Sequence, residues 1–317
     1  MSVQTLYTAA TGMEALETKL DVIANNMANI NTTGFKKDRA NFEDLFYRQI
    51  RMPGARDADG SITTTGIDVG LGVRVSSTQT NHTQGAMQIT NNPLDFAIEG
   101  NGFFQVQNPN GGFFYTRAGN FGLNANNQLV LGSAQTGWII DPQISIPQDA
   151  TNVVVTSDGQ VQFNTSTDPT LQTAGQLQVA TFIDPDGLLK MGDNLYQLTD
   201  ASGPATLLNP GQQGAGWLRQ GALEASNVEP VQELIDLITT QRAFELNSQV
   251  VQAGDQIMQT ATQLRRFLGS LRRCTRDKRH GDDPLTGLAR LLPNSSDVAC
   301  SGCLPCCCES PSCRPWA

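Results

Sequence analysis

Two long helical patterns, one near each end of the chain, dominate the distribution of its apolar residues. Between residues 3 and 30 apolar side chains recur at spacings of three and four, which marks one face of an α-helix. From Ala243 a second stripe with this spacing continues for about 25 residues, equivalent to a rod of roughly 37 Å. The first stripe contains Val3, Leu6, Ala10, Met13, Leu16, Leu20, Ile23, Met27 and Ile30, and the second contains Ala243, Leu246, Val250, Ala253, Ile257, Thr260, Leu264 and Phe267.

The C-terminal helix has a second apolar line, formed by Phe244, Val251 and Met258. Four glutamines fall between the two lines on a helical wheel: Gln252, Gln256, Gln259 and Gln263. A single neighbouring helix covers only one of the two apolar faces, so the other face indicates another copy of the chain or another protein. The alternative is that the β-rich part of the same chain buries both faces.

The region between the helices is predicted to be β-rich. Over residues 81–226, short apolar runs alternate with Asn-Gly and Asp-Gly pairs, which are typical of hairpin turns. Residues 51–80 are rich in Gly and Thr, so we expect an extended or flexible segment. Before it, Phe42, Leu45 and Phe46 predict a further short helix.

Together these patterns predict an α+β fold, with long N- and C-terminal coiled-coil-type helices that pack together and a central all-β domain. The predicted parts are an N-terminal helical assembly region at 1–50, an extended or flexible segment at 51–80, a β-rich domain at 81–226, a C-terminal helix at 227–267 and an atypical Cys-rich tail at 268–317.

The charge of the chain argues against nucleic acid as a partner. Charged residues make up only 16% of the sequence and the net charge is −9, whereas typical domains contain about 25% charged residues. Before Phe267 no Lys/Arg cluster interleaves with aromatic residues, as a polyanion site would require. The first 20 residues lack a basic segment followed by an apolar run, so they do not predict a cleaved signal peptide.

The tail differs in composition from the rest of the chain. All seven cysteines lie beyond Phe267, and Cys300, Cys303 and Cys306 have the spacing of metal ligands. The bias of the tail toward Arg, Pro, Cys, Ser and Gly resembles translation of GC-rich DNA in a wrong frame. We therefore interpret residues 268–317 as a frameshift or read-through product, or otherwise as a disordered extension, and we expect no metal site there.

Five motifs carry a resemblance to a known family. They lie at residues 22–36 (VIANNMANINTTGFK), 98–104 (IEGNGFF), 115–121 (YTRAGNF), 192–196 (GDNLY) and 221–228 (GALEASNV). The sequence resembles the bacterial flagellar rod and hook proteins over residues 1–267. Within that family, residues 42–54 (FEDLFYRQIRMPG) are most similar to the distal rod members.

The resemblance implies a structural subunit of the basal body, exported by the flagellar export apparatus without signal cleavage. Such subunits polymerise into a hollow helical shaft that transmits torque and passes exported subunits, with the termini forming the inner tube. The implied partners are further copies, the proximal rod and hook proteins, and the P- and L-ring proteins. A proximal rod or hook paralogue is the alternative, and a rod-associated enzyme that cuts the cell wall is a weaker one.

The candidate site residues are predicted to form interfaces between subunits. They are Leu20, Ile23, Asn25, Asn26, Met27, Asn29, Asn31, Gly34 and Phe35 near the first helix, and Leu246, Val250, Val251, Ile257, Met258 and Leu264 on the last. The asparagines suit a helix end that contacts another chain, because their side chains bond backbone groups. Gln252, Gln256, Gln259 and Gln263 either line the export channel or form ordinary solvated surface.

We expect neither catalytic residues nor a cofactor. The first 267 residues contain no P-loop, no G-x-S-x-G elbow and no H-E-x-x-H sequence. Their single histidine, His82, lies in a Thr/Gln-rich segment and is predicted to be a surface residue. Asp57-Ala58-Asp59-Gly60 resembles a calcium loop only faintly, and a polar loop is the favoured interpretation. A carboxylate pair of the glycosidase type stays open at this point.

Overall fold

The computed structural model describes residues 3–54, 64–108, 111–132, 137–165 and 170–277, with side chains described from residue 4 to 265. The chain divides into two compact units between Gln259 and Thr260. The first unit contains the N-terminal helix, the β domain and the C-terminal helix as far as Gln259. The predicted polar loop at Asp57–Gly60 and the tail cysteines from Cys300 onward lie outside the described residues.

Both predicted helices are present, and the second is longer than expected. Helix α1 spans Val3–Ala28 and helix α2 spans Pro230–Asp277, so α2 extends beyond the boundary predicted at Phe267. Pro230 stands in the first turn of α2, where its missing N–H costs no helical hydrogen bond. In the described part of the chain, no helix combines the length and apolar character needed to cross a membrane.

The two helices lie side by side and run in opposite directions. A Cβ atom at Gly254 would be 2.5 Å from Leu6 Cδ2, and one at Gly12 would be 3.1 Å from Asn247 Nδ2. At the other end of α1, a hydrogen bond of 3.3 Å joins Asn26 to Glu233. Residue numbers therefore fall along α2 as they rise along α1, which defines an antiparallel pair.

The short helix predicted from Phe42, Leu45 and Phe46 is wrong. The chain there forms strands β1 (Asp38–Asp44) and β2 (Tyr47–Arg51). Each pairs antiparallel with a later strand, β1 with β4 (Val73–Thr80) and β2 with β3 (Ile67–Gly70). Three apolar residues are too few to specify a helix, and the paired strands supply the backbone hydrogen bonds instead. The N-terminal helical region therefore ends at Ala28, well before residue 50.

The central region is β-rich, as predicted. Its strands are β5 (Met87–Ile89), β6 (Phe96–Glu99), β7 (Phe103–Gln107), β8 (Phe113–Thr116), β9 (Phe121–Leu123), β10 (Leu129–Leu131), β11 (Ile139–Ile140), β12 (Ala150–Val155), β13 (Gln160–Thr165), β14 (Gln172–Gln176), β15 (Val179–Thr181), β16 (Leu189–Gly192), β17 (Leu195–Gln197), β18 (Thr206–Leu208), β19 (Trp217–Gln220) and β20 (Ala222–Glu224). A short 3-10 helix, Pro185–Gly187, precedes β16.

One large sheet organises this β domain. Its main order is β16-β17-β8-β7-β11-β10-β9, and β15 pairs with both β7 and β18. A separate sheet contains β12, β13 and β14, and two strand pairs, β6 with β19 and β5 with β20, complete the domain. The core between these strands is fully buried at Phe96, Phe104, Val106, Leu129 and Val161. The apolar runs of the sequence therefore supply a common core for the domain.

Candidate functional site: the helix pair and its junction with the β domain

A buried carboxylate lies where the helix pair meets the β domain. Glu224 ends β20 and is 1% exposed. Its Oε1 atom accepts hydrogen bonds from Lys36 Nζ at 2.6 Å and from the backbone N–H of Gly85 at 2.9 Å. Its Oε2 atom accepts from Arg117 Nη1 at 3.3 Å. We name Lys36, Arg117 and Glu224 the polar junction.

Two cations of the polar junction share this one carboxylate. Lys36 also donates to the carbonyl of Thr83 at 2.7 Å, and Arg117 Nη2 donates to the carbonyl of Gly100 at 2.7 Å. Burial lowers the pKa of both Lys36 and Arg117, and the neighbouring Glu224 carboxylate opposes that shift. Within the described part of the chain, Arg117 Nε is buried without a hydrogen-bond partner. The arrangement is therefore suited to holding chain segments together, and its stability depends on the single anion.

Gly34, in the N-terminal segment between α1 and β1, packs directly against the backbone of the polar junction. Its φ is +70°, a left-handed conformation that favours glycine. A Cβ atom at this position would lie 2.7 Å from the backbone nitrogen of Ala118 and 2.8 Å from the carbonyl carbon of Arg117. The Gly34 N–H donates to the backbone carbonyl of Glu224 at 2.8 Å. A side chain at residue 34 would separate these backbones.

Two asparagines bond the segments on either side of the junction. Asn26 is 2% exposed; its Nδ2 donates to the carbonyl of Asp38 at 2.8 Å, and its Oδ1 accepts from the Asp38 N–H at 2.9 Å. The Oδ1 of Asn227 accepts from the Lys37 N–H at 2.7 Å. Both side chains bond backbone groups at the start of β1, and these partners belong to the same chain.

The hairpin of β16 and β17 contacts the same N-terminal segment. Lys190 Nζ lies 2.6 Å from Asp38 Oδ1 and 5.5 Å from the centre of the Phe35 ring. Asn194, in the turn of the hairpin, donates from Nδ2 to the carbonyl of Thr33 at 3.1 Å. A β-domain hairpin therefore bonds the segment that follows α1.

The five family-like motifs meet in this region. Each contributes a residue to the contacts above: Gly34 and Lys36, Gly100, Arg117, Asn194, and Glu224 with Asn227. Sequence reasoning identified the motifs but assigned no role to Lys36, Arg117 or Glu224. The available signal was the presence of charged residues within otherwise neutral motifs.

The prediction of His82 as a surface residue is wrong. Its side chain is 12% exposed and packs against the rings of Phe103 and Tyr196, with centroids 5.7 and 5.9 Å away. Burial lowers its pKa to about 4, because desolvation outweighs the attraction of Asp186 at 3.9 Å. Three cations lower that pKa further: Lys36, Arg117 and Lys190. Its Nδ1 atom is buried and has no hydrogen-bond partner among the residues that the structure describes.

The predicted interface residues near α1 divide by burial. Ile23, Asn26 and Gly34 are buried by other residues of the same chain, so a neighbouring chain cannot contact them. The half-buried ones are Leu20, Met27, Asn29 and Phe35, whereas Asn25 and Asn31 are exposed. A contact with another chain stays a prediction for this set, and only its half-buried and exposed members have free surface to offer.

Helix α2 faces α1 with small and polar residues. Glu233, Thr240, Asn247 and Gly254 recur along one face of the helix, and Glu233, Asn247 and Gly254 contact α1. Thr240 is 2% exposed. We name these four residues the helix seam. None of the four is a large apolar residue.

The large apolar residues of α2 are left on other faces. Leu246 is 62% exposed, Val250 41%, Ile257 46%, Met258 48% and Leu264 59%, and Val251 is half-buried. The alternative in which the β-rich part of the chain buries both apolar faces is therefore wrong. The glutamines Gln252, Gln256, Gln259 and Gln263 are also exposed, which is compatible with both interpretations of them.

The pair β2–β3 forms a ribbon with apolar residues exposed along it. Ile50 is 60% exposed and Ile67 53% exposed, and Phe46 and Met52, which flank β2, are 87% and 65% exposed. A two-stranded ribbon is marginally stable by itself in water. Exposed apolar area of this kind is typical of a surface that contacts another protein.

Three family models match the chain in sequence order. "Flagella basal body rod protein" matches residues 6–36, "Flagellar hook protein FlgE/F/G D1 domain" matches 97–163, and "Flagellar basal body rod FlgEFG protein C-terminal" matches 219–264. The first and last cover most of α1 and the part of α2 up to residue 264, and the middle one covers much of the β domain. Together they define a structural protein of the flagellar axis.

Relatives of known name refine this class. The flagellar basal-body rod protein FlgG of Caulobacter vibrioides is 46% identical over 263 residues, which are 83% of this chain and 99% of the relative. FlgG of Bacillus subtilis is 40% identical over 83% of this chain and 99% of its own length. The flagellar hook-basal body complex protein FlhP of the same organism is less similar, at 30% identity. The chain belongs to the FlgG family of flagellar basal-body rod proteins, and it is a structural component of the rod.

Proposed function

We propose that this chain polymerises into the hollow distal rod of the flagellar basal body through the exposed apolar faces of α2 and the β2–β3 ribbon. The observation that carries the proposal is the composition of the helix seam. Within the chain, α2 faces α1 with small and polar residues, and Leu246, Val250 and Ile257 stay exposed. Exposed apolar side chains at these spacings favour packing against further helices, and a second copy of the chain offers such helices.

The position of the β2–β3 ribbon supports the same proposal. The ribbon begins directly after β1 in the sequence. Strand β1 pairs with β4, and β4 contacts α1. It therefore carries Phe46, Ile50 and Met52 on a part of the subunit near the helix pair. Contacts from both the ribbon and the helices join neighbouring copies more strongly than either alone.

The proposed partners follow from the position of a rod in the basal body. We propose contacts with the proximal rod proteins on one side, the hook protein on the other and the P- and L-ring proteins around the shaft. The rod would span the periplasm to the outer membrane, after delivery by the flagellar export apparatus without a cleaved signal peptide. In this proposal the chain transmits torque and passes exported subunits, and it catalyses no reaction.

The exposed glutamines of α2 suit the inner wall of such a shaft. Neutral amides at Gln252, Gln256, Gln259 and Gln263 bond water and hold neither charged nor apolar cargo strongly. We propose that they face the export channel once copies surround it.

A triple variant tests the proposed polymerisation. Replacing Leu246, Val250 and Ile257 by serine removes apolar surface that is exposed in the single chain, so the β domain is expected to unfold at an unchanged temperature. Filament formation by the purified protein and assembly of rods in cells should be lost. The matched control replaces Leu171, which is 60% exposed on the β domain, by serine, and it should assemble normally. Normal assembly of the triple variant would contradict the proposal.

A further inference from the structure

The polar junction joins segments that lie far apart in the sequence. Lys36 and Glu224 are separated by 188 positions and Arg117 and Glu224 by 107. Lys36 lies between α1 and β1, Arg117 directly follows β8, and Glu224 precedes α2 by a few residues. The covalent links between the helix pair and the β domain therefore run through the residues that form or flank the junction.

The three donors to the Glu224 carboxylate come from three different segments. They are Lys36 after α1, Gly85 between β4 and β5, and Arg117 after β8. Gly85 and Arg117 belong with Glu224 to the β domain and hold its carboxylate in place, so a rotation of the helix pair against the β domain would have to lengthen the Lys36–Glu224 bond. Because the carboxylate and both cations are almost fully buried, water cannot replace the lost bonds without opening the site.

We propose that Glu224 is a positioning residue, which fixes the orientation of the helix pair relative to the β domain and so lets the subunit carry load between them. The inference rests on the proposed polymerisation into a hollow rod, and it takes the helices to form the inner tube and the β domain to form the outer wall. It adds the specific contact through which a force on one part reaches the other within a subunit.

The role of Glu224 differs from a general contribution to folding. The apolar core of the β domain, at Phe96, Phe104 and Val161, is formed by other strands. Two contacts of Glu224 connect this domain to the segment between α1 and β1: its carboxylate accepts from Lys36, and its backbone carbonyl accepts from the Gly34 N–H. Removal of its charge should therefore loosen the connection between the parts before it affects the inside of the β domain.

Distances between spin labels test this inference in the unassembled full-length chain. One label pair measures the distance from the helices to the β domain, between the exposed positions Glu17 on α1 and Leu171. The second pair, Leu123 and Leu171, measures a distance within the β domain. The first 267 residues contain no cysteine, so cysteines introduced there are labelled selectively once the seven native ones are changed to serine.

Glu224→Gln keeps the shape of the side chain and removes its charge, which leaves Lys36 and Arg117 without a buried counter-charge. The Glu17–Leu171 distance distribution should widen by about two-fold or more, while the Leu123–Leu171 distribution keeps its width. Glu43→Gln is the matched control, because Glu43 pairs with Arg74 at 3.0 Å on the exposed surface. It should leave both widths unchanged.

A second variant covers the case in which Glu224→Gln prevents folding of the β domain. Lys36→Met removes one donor and leaves the opposite charges of Arg117 and Glu224 paired. It should widen only the Glu17–Leu171 distance distribution. An unchanged Glu17–Leu171 width in the folded variant, equal widening of both pairs, or a wild-type distribution as broad as that of the variant would each overturn the inference. These measurements need no polymer, so the proposed polymerisation fails or stands independently of them.

Discussion

At the scale of single residues, Gly34 determines how closely the N-terminal segment approaches the β domain. Its left-handed conformation and the backbone contacts at Ala118 and Arg117 leave no room for a side chain. The close approach was not predictable, because it depends on residues more than eighty positions away in the sequence.

Replacement of Gly34 by alanine should destabilise the protein strongly. The left-handed backbone alone costs an alanine roughly 1–2 kcal/mol, and displacement of the Arg117–Ala118 backbone adds to that cost. Gly214→Ala is the matched control, because Gly214 has a φ of +87° and no atom of the described residues lies within 4 Å of the added Cβ. Urea unfolding measures both free energies of unfolding. Equal losses in the two variants would show that the close contact at Gly34 has no energetic role.

The second residue-scale prediction concerns the pH dependence that His82 contributes. Its pKa is about 4 in the folded chain and about 6.5 when unfolded. The folded state therefore binds fewer protons between these values, so the contribution of His82 is complete above pH 6.5 and is lost as pH falls toward 4. The full difference amounts to a free energy of unfolding on the order of 3 kcal/mol.

His82→Gln removes this titration and keeps a neutral polar side chain. The free energy of unfolding of the wild type should fall more steeply than that of the variant between pH 6.5 and 4, as followed by chemical denaturation at several pH values. The groups facing His82 are Asp186, Lys36, Arg117 and Lys190, with the rings of Phe103 and Tyr196. Parallel pH profiles for the two proteins would be inconsistent with a buried neutral imidazole.

At the scale of elements, periodicity predicted the helices well and their contacts poorly. The stripes of α1 and α2 gave both helices, because apolar residues at spacings of three and four repeat over many turns. They did not identify the helix seam, since Glu233, Thr240, Asn247 and Gly254 are not apolar. Apolar periodicity marks a face that needs burial, and it does not say whether the same chain provides the partner.

The strands β1 to β4 show a different limit. Phe42, Leu45 and Phe46 fit a helical spacing, yet they lie in or beside strands whose partners are found between residues 67 and 80. Strand pairing is a non-local interaction, so three apolar residues carry little information about it. The turn sequences of the β domain were more informative, because Asn-Gly and Asp-Gly pairs act locally.

At the scale of the whole molecule, the chain combines a buried apolar core with apolar surface that stays exposed in the single chain. The core lies in the β domain, and α2 and the β2–β3 ribbon are among the elements that leave large apolar residues exposed. Between them, the polar junction places the three charges of Lys36, Arg117 and Glu224 out of solvent. The family and its structural role were predictable from the motifs. The arrangement of these surfaces was not, because it depends on contacts between distant segments.

A density map of the assembled rod tests the central claim most directly. We expect the α1–α2 pair of each subunit at the inner radius, the β domain at the outer radius, and Leu246, Val250 and Ile257 in contact with the helices of a neighbouring subunit. The Glu224 carboxylate should keep its bonds to Lys36 and Arg117 in every subunit. A map with these three apolar residues facing solvent, or with the helix pair on the outside of the shaft, would contradict the account.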